Sequence, residues 1–130
     1  MKARKASCTC GQLSVITQGE PQRVSVCHCL ACQSRTGSTY GVHAVFPSEL
    51  VRASGTATEF VRVGDAGSTG RSYFCPTCGS TVYLRVNDGA TTLVPVGAFA
   101  DPGFPAPTRS VYEERMHKWV SMPDGIEHIF

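Results

Sequence analysis

The residues of this chain best equipped for chemistry are its cysteines. Seven occur among 130 residues, in three tight groups: Cys8-Thr9-Cys10, Cys27-His28-Cys29 with Cys32 close behind, and Cys75-Pro76-Thr77-Cys78-Gly79. The number is odd, and the basic N-terminus MKARKASCTCG is not followed by the apolar run of a signal peptide. The expected compartment is therefore the cytoplasm, where structural disulfides are disfavoured. Clustered thiols in that setting bind metal or react.

The outer four thiols read as one site. Residues i and i+2 on a strand face the same way, so Cys8 and Cys10 can offer two sulfurs together. Pro76 and Gly79 suit the tight turn of a zinc knuckle that brings Cys75 and Cys78 onto one ion. Two such halves complete a closed, tetrahedral, structural zinc site made of four thiolates. It would join the start of the chain to its middle and contribute folding energy. The competing reading is a C-x-x-C redox pair, which neither a βαβ pattern nor the second thiol pair supports.

The inner three form a different kind of site. Cys27 and Cys29 share a strand face, and Leu30-Ala31 can turn the chain so that Cys32 reaches the same point. Three protein ligands leave one tetrahedral position open, as in catalytic zinc sites. Three thiolates on Zn2+ favour a soft fourth ligand, and a thiol held there would be a nucleophilic thiolate. His28 should point to the other strand face and pack or bond a backbone carbonyl. Two plainer readings stay open: a second structural ion completed by a ligand such as His43, and a metal-free thiol cluster.

The elements that must position these groups read as strands. Apolar residues are 42% and charged residues 17%, ordinary for a globular domain and far from a disordered composition. The length suits one domain over residues 1–130. The expected strands are 12–17, 23–29, 40–46, 57–63, 72–74, 81–86 and 91–99, with Pro- and Gly-rich turns between them. This is the pattern of an antiparallel all-β domain with few or no helices. A short helix is expected over 111–120. No apolar run can span a bilayer. The formal charge of +2 does not indicate nucleic acid, because seven thiolates on two Zn2+ ions would turn it to −1. The basic tip of Lys2, Arg4 and Lys5 reads as a solvated end.

The order C-T-C-G, C-H-C-L-A-C-Q-S-R-T-G and Y-F-C-P-T-C-G-S-T-V-Y resembles the glutathione-dependent formaldehyde-activating enzyme family, which includes a centromere protein V-like branch. Phe46, Gly55, Phe74, Pro107 and Trp119 fit its surroundings, and the likeness runs from about residue 7 to the end. The resemblance implies a tent-like all-β fold whose antiparallel sheets are joined by a structural zinc on Cys8, Cys10, Cys75 and Cys78. It implies a catalytic zinc on Cys27, Cys29 and Cys32. The implied activity is that of a carbon–sulfur lyase, joining glutathione to formaldehyde as S-hydroxymethylglutathione. A zinc-stabilised binding module without catalysis is the alternative. The implied partner is a small-molecule thiol, with no nucleic acid, no membrane and no visible oligomer seam.

Glutathione carries two carboxylates and one ammonium, so a cation should meet it. Arg35, three residues past the triplet, and Arg71, beside the loop 64–70 (GDAGSTG), are the candidates. That loop could line a peptide-like ligand through its N–H groups or be an ordinary hairpin loop. Tyr40, Phe46, Tyr73 and Phe74 are expected in the core or in a pocket wall.

Overall fold

The structure is a computed structural model and describes residues 1–64 and 67–129. Its strands are β1 (Ala3–Ser7), β2 (Ser14–Gln18), β3 (Arg23–Cys27), β4 (Gly41–Pro47), β5 (Val51–Ser54), β6 (Thr58–Val63), β7 (Thr69–Phe74), β8 (Thr81–Val86), β9 (Thr91–Pro95), β10 (Arg109–Val111) and β11 (Glu127–Ile129). The single α-helix among the described residues, α1 (Leu30–Thr36), follows β3 directly. Short 3-10 turns complete the secondary structure, and no described helix is long and apolar enough to cross a membrane.

Two sheets result. The smaller has the order β1-β2-β5; the larger has the order β11-β10-β3-β4-β9-β8-β7-β6. The expectation of a mostly β chain holds, with one difference in direction. β10 runs parallel to both β3 and β11, while every other pairing is antiparallel. β10 and β11 have three residues each, too short for an alternating pattern to announce them.

One face of the large sheet makes the core. Val24 lies opposite Ala44, and Ala44 opposite Val94, giving a cross-strand row over β3, β4 and β9. These three pack with Ala6, Leu13 and Val15 of the small-sheet segment and with Phe46, Phe99 and Phe104. Phe46 is fully buried, so truncating it to alanine would cost about 3–5 kcal/mol. β4 is covered on both faces, which explains why its sequence is apolar nearly throughout rather than alternating.

The opposite face of the large sheet carries the candidate site. Cys27 lies opposite Gly41 at one end of it. Further along, Leu93 lies opposite Leu84, Leu84 opposite Ser72, and Ser72 opposite Phe60.

Three local expectations change. The segment 111–120 holds only a 3-10 turn, Glu113–Arg115, entered through Tyr112 in the left-handed region. Of the basic tip, Lys2 and Lys5 are exposed as expected, but Arg4 is not. Residues 3–7 form β1, with Ala6 fully buried, and the Arg4 side chain is 9% exposed, paired to Glu20 at 2.6 Å. The Arg4 guanidinium also lies 5.0 Å from the centre of the Phe104 ring. Of the loop 64–70, Asp65 and Ala66 lie outside the described residues, while Thr69 and Gly70 already belong to β7.

Candidate metal centres and the adjoining cavity

The four outer thiols meet where the start of the chain passes the β7–β8 turn. The sulfurs of Cys8, Cys10, Cys75 and Cys78 all lie within 4.8 Å of one another. Cys8 Sγ and Cys10 Sγ are 3.6 Å apart, and Cys10 Sγ and Cys75 Sγ 3.7 Å. Four sulfurs about 2.3 Å from one ion stand about 3.8 Å apart along the edges of the tetrahedron. The spacing therefore fits a single tetrahedral ion. Backbone N–H groups of Leu13 and Thr77 donate to Cys8 Sγ and Cys75 Sγ, each at 3.3 Å, which favours the thiolate.

Two polar side chains stitch this site together, and neither was visible in the sequence pattern. Gln12 Nε2 donates to Cys75 Sγ at 2.9 Å and to the Thr56 carbonyl at 2.8 Å, while Gln12 Oε1 accepts from Thr56 N–H at 2.9 Å. Gly55 makes this approach possible. Its φ is +99°, and a Cβ there would stand 2.0 Å from the Gln12 carbonyl oxygen. Ser80 Oγ accepts from Thr9 N–H at 3.3 Å and lies 3.5 Å from Cys78 Sγ. The Ser80 hydroxyl, then its backbone N–H, lower the Cys78 thiol to about 5.

The three inner thiols also converge within 4.8 Å of one another. Cys27 ends β3, and Cys29 is the N-cap of α1, its sulfur accepting from Cys32 N–H at 3.3 Å. Serine, threonine, asparagine or aspartate usually does this work. A thiol in that place hid the helix from sequence reading, where Leu30-Ala31 passed for a turn. Hydrogen bonds from the Cys27 and then the Cys32 thiols push Cys29 down to about 2, and the reciprocal bond pushes Cys27 up. All seven thiols are free of disulfides.

His28, expected on the other strand face, and His43, the candidate extra ligand, both stand outside the triplet. His28 is fully buried, with Nε2 3.0 Å from Ser110 Oγ rather than from a backbone carbonyl. His43 accepts on Nε2 from Arg35 Nη2 at 2.8 Å. Burial, and then the Arg35 charge, lower His43 to about 4, so it is a neutral acceptor at pH 7. Gly41 leaves room for this cluster: a Cβ there would lie 3.3 Å from Arg35 Nη2 and 3.4 Å from both Cys32 Cβ and His43 Cε1. Gln33 anchors α1 from outside, donating to the carbonyls of His28 and Arg115 and meeting His117.

Cys29, Cys32 and Arg35 open onto a cavity of about 670 Å3, whose far wall comes from β6, β7 and β8. Phe74 lines it, as expected for a pocket residue, and Phe46 lies in the core. Tyr73 packs against the core and donates to Glu59, and Tyr40 tilts against the His28 ring. Arg71 does not line the cavity. It lies opposite Arg85 on the other face of β7 and pairs with Glu59 at 3.0 Å. Strand alternation decides this: Gly70, Ser72 and Phe74 face the cavity, so Arg71 cannot. The position that does carry a second cation into the cavity is Arg62, opposite Gly70 on β6.

Two β-sheets with a four-thiol cluster between distant strands, and a three-thiol cluster beside a cavity, define a β protein with two groups of thiols that could hold metal ions. The chain belongs to the family described as glutathione-dependent formaldehyde-activating enzyme, whose model matches residues 3–120. It is similar in fold to a crystallised Rhodobacter sphaeroides protein, a structural-genomics target, at 20% identity and a TM-score of 0.59. That likeness covers 78% of this chain and 90% of the other. No curated protein matches the chain in sequence.

Proposed function

We propose that this protein is a zinc-dependent carbon–sulfur lyase of the S-(hydroxymethyl)glutathione synthase type, joining glutathione or a similar thiol to a small carbonyl electrophile. The observation that carries this reading is that Cys29 and Cys32 open, together with Arg35, onto one cavity. Cys8, Cys10, Cys75 and Cys78 would hold a structural zinc, and Cys27, Cys29 and Cys32 a catalytic one. Bound at the triplet, zinc would supply a soft Lewis acid that keeps a substrate thiol deprotonated near neutral pH.

The protein's own residues have separate tasks. α1 fixes Cys29 and Cys32 at the cavity edge. Arg35 commits one N–H to His43, which holds the guanidinium in place without adding charge. Its remaining N–H groups can serve a substrate carboxylate or the oxygen that gains negative charge. In the reaction a carbon–sulfur bond forms, the carbonyl π bond breaks, and the thiol proton ends on the new hydroxyl. Holding both reactants in one cavity removes most of the entropic cost of their meeting.

The test is calorimetric titration of the zinc-loaded protein with glutathione and with S-methylglutathione. Glutathione should bind, and the S-methyl form far more weakly, because it cannot supply a thiolate. Arg35→Ala should weaken glutathione by about 1–3 kcal/mol, the worth of a charge-assisted hydrogen bond. Equal affinity for the two ligands would mean that sulfur never meets the triplet. No binding of either at several millimolar would favour a binding module that takes neither.

A further inference from the structure

The cavity is far larger and more apolar than a one-carbon electrophile needs. Its volume is about 670 Å3, and glutathione must share it, but formaldehyde adds only one carbon and one oxygen. Phe74, Leu84 and Val86 line it, and Phe60 stands at its rim 59% exposed. The strand register explains the depth. Phe60 and Leu84 flank the small Ser72, and Gly70 leaves open space, its nearest neighbour Val86 Cγ1 lying 3.9 Å from where a Cβ would be. Large apolar side chains around a concave surface mark a ligand site, because water against them is unfavourable.

Apart from the thiols, the charges lining the cavity are one-sided. Arg35 and Arg62 are cationic, and no aspartate or glutamate among the described residues lines it. A glutathione laid along this wall would find partners for its carboxylates and none for its ammonium, while its peptide groups would cover apolar carbon. Arg35 and Arg62 can serve glutathione's two carboxylates, which leaves the apolar wall of Phe60, Phe74, Leu84 and Val86 for the other reactant. The electrophile's carbon bonds directly to the sulfur held at Cys29 and Cys32, so its substituent starts at that end of the cavity and extends along it.

We infer that the electrophile is an aldehyde bearing an apolar body, aromatic or branched aliphatic, rather than formaldehyde. This rests on the carbon–sulfur lyase reading and specifies its second substrate. The step balances without another reactant: the thiol adds across the aldehyde C=O, a C–S bond forms, the π bond breaks, and the thiol proton passes to oxygen, giving a thiohemiacetal.

The test has a binding arm and a reaction arm, both on the zinc-loaded full chain. In the first, 2-phenylethanol, the unreactive alcohol of phenylacetaldehyde, is titrated while the methyl resonances of Leu84 and Val86 are followed, with methanol as the one-carbon control. Saturable shifts with 2-phenylethanol alone are expected. Phe60→Ser, at an exposed edge position that tolerates it, should weaken binding about fivefold, and Phe60→Trp should restore it. Absence of shifts, or binding indifferent to Phe60→Ser, overturns the inference. So does a dimer that Phe60→Ser dissociates without changing probe binding, since the wall would then be an interface between copies.

In the reaction arm, exchange NMR compares adduct formation from glutathione with phenylacetaldehyde and with formaldehyde. A preference for phenylacetaldehyde of about tenfold or more, the equivalent of ~1.4 kcal/mol, is the expected result. Turnover of formaldehyde alone overturns the inference and leaves the lyase reading standing. Turnover of neither aldehyde, with 2-phenylethanol still bound, removes the lyase reading and keeps the cavity's selectivity for apolar bodies.

Discussion

Gln12 offers the sharpest test of how the four-thiol centre is held. Its amide joins Cys75 Sγ to both polar groups of the Thr56 backbone through three hydrogen bonds. Gln12→Ala deletes all three. Each is worth about 0.5–1.5 kcal/mol net, and the side chain is exposed enough for water to replace part of the loss, so about 2 kcal/mol is expected. For a chain of 130 residues the unfolding entropy is about 0.27 kcal/mol/K, which converts this to a fall in Tm of about 7 °C. Gln12→Glu keeps the acceptor for Thr56 N–H but replaces the donor to sulfur with a carboxylate. It should release metal faster than the alanine variant, because a like charge then faces the thiolates. Circular-dichroism melts and metal release to a chromogenic chelator measure the two effects. A Gln12→Ala protein that melts within about 1 °C of wild type and releases metal at the wild-type rate would refute the clamp.

Cys75→Ser should unfold the protein or leave it insoluble, since a structural zinc contributes on the order of 10 kcal/mol in small zinc domains; an unchanged Tm with full metal content would contradict this. Cys29→Ser should keep the fold and lose the second ion, because a serine hydroxyl can still cap α1. Unfolding as deep as that of Cys75→Ser would make the triplet structural. His43 gives a pH signature. Its folded value of about 4 lies below the ordinary 6.5, so the unfolded chain binds the extra proton first. Stability from this group is complete above pH 6.5 and is lost as pH falls toward 4, by about 3 kcal/mol in total. His43→Gln should flatten that part of the stability curve, and an identical curve would show that His43 titrates normally.

Much of this protein was legible in its sequence because its chemistry is local. The grouping of seven cysteines named both thiol clusters, since C-x-C and C-x-x-C bring two sulfurs to one point whatever surrounds them. The strands with strong alternation or β-branched runs, β2, β3, β4, β6, β8 and β9, were legible within a few residues for the same reason. What was not legible depends on partners far away in the chain. β1 is a strand because β2 pairs with it and Arg4 finds Glu20. β10 and β11 exist only through parallel pairing beside β3. α1 is capped by a thiol that also belongs to the triplet. Which arginine meets the cavity was a question of strand register. Arg35 and Arg71 look alike in sequence, but alternation along β7 turns Arg71 away and pairs it with Glu59, whereas Arg35 is held by His43 at the cavity edge. The sequence by itself determined which atoms can hold metal. Only the tertiary structure decided what stands around them, because register and packing set each side chain's face, and no local pattern encodes either.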